Sequence, residues 1–74
     1  MSNSSVPQEL HNLGVRNMNT IVLNLSRKNL TSLPSSIGKL KKLTILDLED
    51  NRLNSLPSSI GNLKNLMYIG LEGN

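Results

Sequence analysis

Asp47, Glu49 and Asp50 put three carboxylates within four positions, the densest group of reactive side chains in this chain. Paired carboxylates can share general acid and base work or hold a cation, provided that burial or a neighbouring charge separates their pKa values. On an open, shallow sheet that desolvation is missing, and the three read as solvated side chains. His11 is the single histidine and has no assembled acid or base partner. Cysteine is absent, so there is no thiol nucleophile, and no His/Asp/Glu cluster has metal-ligand spacing. Gly38-Lys39 lacks the glycine-rich run of a phosphate loop, because a proline-serine turn precedes it. The residues therefore predict no catalytic site, no metal and no cofactor.

Composition narrows the rest. Seventy-four residues make at most one small domain, in which folding buries only ~60% of the surface exposed by the unfolded chain. The apolar residues are nearly all Leu and Ile, and Tyr68 is the only aromatic. A net charge of +3 permits loose attraction to anions, but no aromatics interleave with the basic residues, so no specific nucleic-acid partner is expected. The lack of cysteine favours a reducing compartment. The N-terminus has no apolar signal segment, and no apolar run approaches the length of a membrane span. The expected location is the cytoplasm, where the acceptor-like triplets at Asn3, Asn24 and Asn29 arise by chance.

The elements that must position these residues recur with a period of 23. Leu43, Leu46, Leu48, Leu53, Leu56, Ile60 and Leu63 form one ladder, and Asn51 lies three residues after Leu48. Subtracting 23 returns Leu23, Leu25, Leu30, Leu33, Ile37 and Leu40; adding 23 returns Ile69, Leu71 and Asn74. Leu33-Pro34-Ser35-Ser36-Ile37-Gly38 reappears as Leu56-Pro57-Ser58-Ser59-Ile60-Gly61. A fixed period of this length specifies stacked units, each needing a neighbour to bury its leucines.

Within a unit, Leu23 and Leu25 are two apart and point to one side of a short strand, over residues 21–26. Leu33, Ile37 and Leu40 follow at helical spacing, and Gly38 weakens this return arm to a turn or two of helix or 3-10 helix. The second unit repeats this over residues 44–66, and the third supplies a strand over residues 67–72. Before them, residues 1–5 read as a polar tail. Ser5 and Gln8 are placed as a capping box with Pro7 in the first turn, and Gly14 as the stop of a short helix. Val6-Pro7, Leu10 and Leu13 echo the return arm, but Val6 precedes Leu33 by 27 residues instead of 23. The expected division is residues 1–20 as tail and divergent capping half-repeat, and residues 21–74 as about two full units plus a third strand.

Stacking sets Leu23 beside Leu46 beside Ile69, and Leu25 beside Leu48 beside Leu71, with the strands parallel. Strands ~4.8 Å apart inside helical arms that need ~10 Å would bend the stack, and Gly38 and Gly61 would thin its outer layer and lessen the bend. Asn51 and Asn74 sit where a side-chain amide can satisfy backbone groups of adjoining units. The first unit has Lys28 at that position, so either Asn29 replaces it or the first turn is looser.

The pattern from Leu43 through Asn51 to Leu63 resembles the leucine-rich repeat. More narrowly it is similar to the 23-residue intracellular type of Ras-binding scaffolds, of scribble and erbin, and of the plant intracellular Ras-group family. The resemblance covers residues 21–74, with an echo in residues 6–13. It implies an α/β leucine-rich-repeat solenoid, a right-handed β-α superhelix with a short parallel sheet on the concave side and short helical or 3-10 arms on the convex side. It also implies a protein-binding scaffold in signal transduction, with a small GTPase among the partners it brings to mind. Lys28 and the 27-residue first spacing depart from the pattern, as does a repeat count below that usual for such scaffolds.

If the leucines point inward, their neighbours face out of the sheet in three columns: Val22, Ile45, Tyr68; Asn24, Asp47, Gly70; and Ser26, Glu49, Glu72. Four of the five acids (Asp47, Glu49, Asp50 and Glu72) fall on this side, and Lys39, Lys41, Lys42 and Lys64 fall on the arms. The expected partner-binding residues are Val22, Asn24, Ser26, Ile45, Asp47, Glu49, Tyr68 and Glu72, with an apolar strip ringed by carboxylates that select a basic protein. Two other roles stay open: a structural segment that continues or caps a longer solenoid, and a regulatory repeat segment of a larger enzyme. The third strand has an open edge, which suits a fragment or isoform of a longer scaffold, or self-association at the C-terminal end.

Overall fold

A computed structural model describes residues 6–74. The expected tail over residues 1–5, including Ser5 as a helix cap, lies outside the described residues. The order is helix α1 (Gln8–Asn12), strand β1 (Val22–Asn24), a first 3-10 arm (Ser35–Lys39), β2 (Ile45–Asp47), a second 3-10 arm (Ser58–Asn62) and β3 (Tyr68–Gly70). The three strands form one parallel sheet in the order β1-β2-β3. A short parallel sheet with 3-10 returns is the α/β arrangement that the repeat pattern predicts.

The register follows the 23-residue period. Val22 pairs with Ile45 and Ile45 with Tyr68, Leu23 with Leu46 and Leu46 with Ile69, Asn24 with Asp47 and Asp47 with Gly70. The strands are only three residues long, shorter than the spacing suggests, but ladder bonds continue beyond them. The N–H of Leu25 reaches the Asp47 carbonyl at 2.8 Å, and that of Leu48 reaches the Gly70 carbonyl at 2.8 Å. One step further, Arg27 donates to Glu49 and Asp50 to Glu72. Arg27 and Asp50 then take left-handed backbone angles, φ 57° and 58°, as does Gly73 at 78°. That shared turn, which costs a non-glycine residue energy, is what ends each strand.

Behind the sheet lies one core. Leu10, Leu25, Ile37, Leu40, Leu43, Leu46 and Leu48 are fully buried, whereas Leu71, the third-unit counterpart of Leu25 and Leu48, is 40% exposed. Burial therefore depends on having a neighbour on both sides. At the N-terminal end α1 supplies that neighbour by packing Leu10 into the core. The helix is capped by Pro7, with no side-chain cap bond. Gln8 donates its amide to Asn12 Oδ1 at 2.9 Å, one turn along. Gly14 does stop the helix, at φ 99°, with Gly14 N–H to the His11 carbonyl and Val15 N–H to the Leu10 carbonyl, the pair that defines a Schellman motif.

Asn51 holds the units together. It is buried, its amide donates to the Leu25 and Leu48 carbonyls at 2.9 and 3.0 Å, and its Oδ1 accepts from Lys28 and Leu30 N–H at 3.0 Å each. Asn74 repeats the pattern, donating to Leu48 and Leu71 and accepting from Leu53. Each asparagine thus closes the turn of the preceding unit as well as its own. Neither alternative for the first unit holds: Asn51, not Asn29, satisfies the first turn. Lys28 is tolerated because an asparagine there would serve a strand before β1, and the described residues contain none.

Gly38 also has a different role from the one its helix propensity suggests. A Cβ there would lie 2.6 Å from the Ser59 carbonyl oxygen and 2.8 Å from the Ser59 Cβ, so it lets the second arm seat closely on the first. Gly61, its counterpart, has nothing within 4 Å of such a Cβ. Gly38→Ala should then destabilise by ~1–3 kcal/mol, while Gly61→Ala should be neutral or mildly stabilising. Asn51→Ala should cost at least ~3 kcal/mol by stranding buried backbone groups, and Asn74→Ala, whose bonds to Leu53 and Leu71 are exposed and only that to Leu48 part-buried, ~1 kcal/mol or less. Urea denaturation midpoints of the four variants check both contrasts; equal shifts within either pair would contradict the unit-to-unit dependence.

Candidate functional site

The open face of the sheet carries the predicted columns. Alternation along three-residue strands turns Leu23, Leu46 and Ile69 to the core, and so turns their neighbours outward. Val22, Ile45 and Tyr68 stand side by side at 58%, 38% and 51% exposure, a continuous apolar strip on the surface.

The second column is partly occupied with local work. Asn24 Oδ1 accepts from the Ser26 N–H at 3.0 Å and the Ser26 hydroxyl at 2.8 Å. Asp47 Oδ1 accepts from the Glu49 N–H at 3.0 Å. These are Asx turns, which steer the chain out of each strand toward its left-handed residue. Asn24 and Ser26 therefore present side chains already committed to each other, and Asp47 retains one oxygen for a partner.

Gly70 completes the middle column on the edge strand β3. It is buried, and a Cβ built on it would lie 3.1 Å from Glu49 Oε2, 3.1 Å from the Tyr68 hydroxyl oxygen and 3.2 Å from Asp47 Oδ1. Three oxygens from two strands thus converge over a residue without a side chain. Tyr68 Oη donates to Glu49 Oε2 at 3.4 Å, and the Glu49 charge, with smaller contributions from slight desolvation, that hydrogen bond, Asp47 and Glu72, raises the phenol above its ordinary pKa. The hydroxyl therefore holds its proton more tightly. The sequence places Gly70 in this column; that it is the floor on which Tyr68, Glu49 and Asp47 meet depends on side-chain directions that spacing does not encode.

Glu72 is exposed at the end of its column. Asp50 lies at the rim, 3.5 Å from the Arg27 guanidinium, an exposed ion pair that contributes little to stability. His11 is on the exposed side of α1, its Nε2 3.5 Å from Arg16 Nη1 and remote from the open face. Asn51 and Asn74 lie behind this face, bonded across the unit boundaries. Among the described residues no three His, Cys, Asp or Glu side chains come together as a metal site, and no helix is long and apolar enough to cross a membrane.

Comparison with known proteins agrees with this geometry. The chain matches the family model of a leucine-rich repeat region over residues 3–74, and it belongs to that family. No curated protein matches it. Repeats of this family typically mediate protein–protein interaction without catalysis.

The Tyr68 environment has a measurable consequence. A raised pKa means that the folded chain holds the phenolic proton more tightly, so whatever stability Tyr68 adds is intact below ~10 and fades as pH rises through the folded midpoint. Ultraviolet titration of phenolate absorbance reads this residue alone, since no other aromatic is present. The midpoint should exceed that of the urea-unfolded chain, and Glu49→Gln should lower it; coincident folded and unfolded midpoints would count against the Tyr68–Glu49 contact.

Proposed function

We propose that this chain is a non-catalytic protein-interaction module that recognises a basic segment of another protein through the open face of its sheet. The observation that carries the reading is the juxtaposition of the exposed strip of Val22, Ile45 and Tyr68 with the Tyr68, Glu49 and Asp47 oxygens gathered over Gly70. An apolar anchor beside two carboxylates that each keep a second oxygen for a partner suits an extended peptide that presents aliphatic carbons and a Lys or Arg together. The Lys side chains of the arm side (Lys39, Lys41, Lys42 and Lys64) are all exposed, so a basic partner is steered to one face only.

In this reading residues 1–20 are a tail with a capping half-repeat and residues 21–74 are the repeats, coiled right-handedly with the sheet on the concave side. The setting is a cytoplasmic signalling scaffold, and a small GTPase is one partner of suitable kind. The binding residues are Val22, Ile45, Tyr68, Asp47, Glu49 and Glu72, with Asn24 and Ser26 shaping the rim of the face. Three strands present fewer outward residues than the ~20–30 per side of a standard interface, so affinity for one linear peptide should be weak.

Isothermal titration with matched Lys/Arg-rich and Asp/Glu-rich extended peptides tests the proposal. The basic peptide should bind and the acidic one should not, and Asp47→Lys with Glu49→Lys should weaken binding about tenfold or more. Equal binding of both peptides, or an unchanged affinity in the double variant, would sink it.

A further inference from the structure

The loops that lead into the three strands are one-sided in charge. Residues 15–21, 39–44 and 62–67 hold five of the eight Lys and Arg residues (Arg16, Lys39, Lys41, Lys42 and Lys64) and none of the five acids. The turns at the other end of the strands are mixed. There Arg27, Lys28 and Arg52 accompany Glu49, Asp50 and Glu72, and Arg27 pairs with Asp50 at 3.5 Å.

Folding brings the entry loops together along one edge. Asn65 donates its side-chain amide to the Lys41 carbonyl at 2.9 Å, and the N–H groups of Thr44 and Met67 reach the Ile21 and Thr44 carbonyls at 2.8 Å each. The four lysines are all exposed, and among the described residues no carboxylate pairs with any of them. Arg16 is exposed as well, with one guanidinium N–H on the His11 carbonyl at 3.4 Å.

This edge offers charge without shape. Its backbone donors are spent locally, Lys41 N–H on the Lys39 carbonyl, Leu43 on Leu40, Lys64 on Asn62 and Leu66 on Leu63. What remains is a row of ammonium groups on flexible stems, with Ile21 55% exposed where the first loop enters its strand. A ligand with one discrete anionic group needs fixed donors that converge on it. A surface of spread negative charge needs only the field, and lysine stems can lie along it while an aliphatic side chain enters its apolar layer.

We infer that the strand-entry edge is a docking surface for a bilayer of anionic lipids, with Lys39, Lys41, Lys42 and Lys64 on the headgroups and Ile21 at the acyl boundary. Duplex nucleic acid is the competing polyanion, but its phosphate backbone gives an exposed isoleucine nothing to bury against. The acids do not oppose the contact. Asp47 and Glu49 lie three and five residues beyond Thr44, ~10 and ~17 Å along an extended chain, farther than the ~8 Å over which physiological salt screens charge. The docking does not depend on the basic-partner reading, which concerns Asp47 and Glu49.

Co-sedimentation of the 74-residue chain with lipid vesicles tests it. The chain should pellet with phosphatidylcholine vesicles that contain about 30% phosphatidylserine and not with phosphatidylcholine alone, and salt raised from about 0.1 to 0.5 M should release it. Lys41→Glu with Lys64→Glu should weaken binding about tenfold or more. Lys28→Glu with Arg52→Glu removes the same charge at the other end of the strands and should weaken it about threefold or less. All four positions are exposed, so far-ultraviolet circular dichroism should be unchanged in both variants. Asp47→Lys with Glu49→Lys, which weakens peptide binding on the open face, should not weaken vesicle binding. No pelleting with anionic vesicles, equal pelleting with neutral ones, equal loss in the first two double variants, or tighter binding to a DNA duplex than to anionic vesicles at equal accessible phosphate would each overturn the assignment.

Discussion

A unit of this chain cannot satisfy its own backbone. Its turn leaves carbonyls and N–H groups facing the next unit, and the amide of Asn51 alone meets four of them at hydrogen-bond distance. An unpaired polar group in that position costs as much as a sizeable share of a small domain's stability. The rest follows from this closure across unit boundaries. Strands must be parallel and in register so that Leu25 and Leu48 present their carbonyls to one asparagine. Arms must approach closely enough that Gly38 cannot carry a side chain. Stability then rises wherever a unit has two neighbours, and the middle unit, with Leu43, Leu46 and Leu48 fully buried, is the most secure.

Much of this was legible in the residues because period is a one-dimensional signal. Leu23, Leu46 and Ile69 could be set side by side from spacing alone, and the register agrees pair for pair. The asparagine ladder was legible for the same reason. What spacing could not reveal was direction across the boundary: that Asn51 works mainly backward, on Lys28 and Leu30, and so excuses the first unit from having an asparagine. The left-handed residues Arg27 and Asp50 were missed as well, although Gly73 at the equivalent place carried a hint of them. At α1 the Pro7 carbonyl starts the helix, and Gln8 donates its amide to an asparagine one turn ahead, a bond that the period does not encode.

The open face shows how little of a surface is free to specialise. Core positions are fixed by the period, and at Asn24 and Asp47 even an outward side chain is drawn into the turn that ends the strand. Freedom remains where the turn needs no help, at Val22, Ile45 and Tyr68 along the first column and at Glu49 and Glu72 along the third. Those are the positions at which one repeat can differ from another without weakening the stack. Tyr68 and Glu49 meet because Gly70 stands where its two predecessors carry polar side chains, so the face's character rests on one omitted side chain.

That same omission links the face to the end of the stack. In the first two units Asn24 and Asp47 cap the turn that follows, but Gly70 gives Glu72 no such support. The exit of the third strand is held instead by Asn74, whose amide bonds the Leu71 carbonyl, so the unit-closing asparagine closes the turn even where the strand's own side chain is missing.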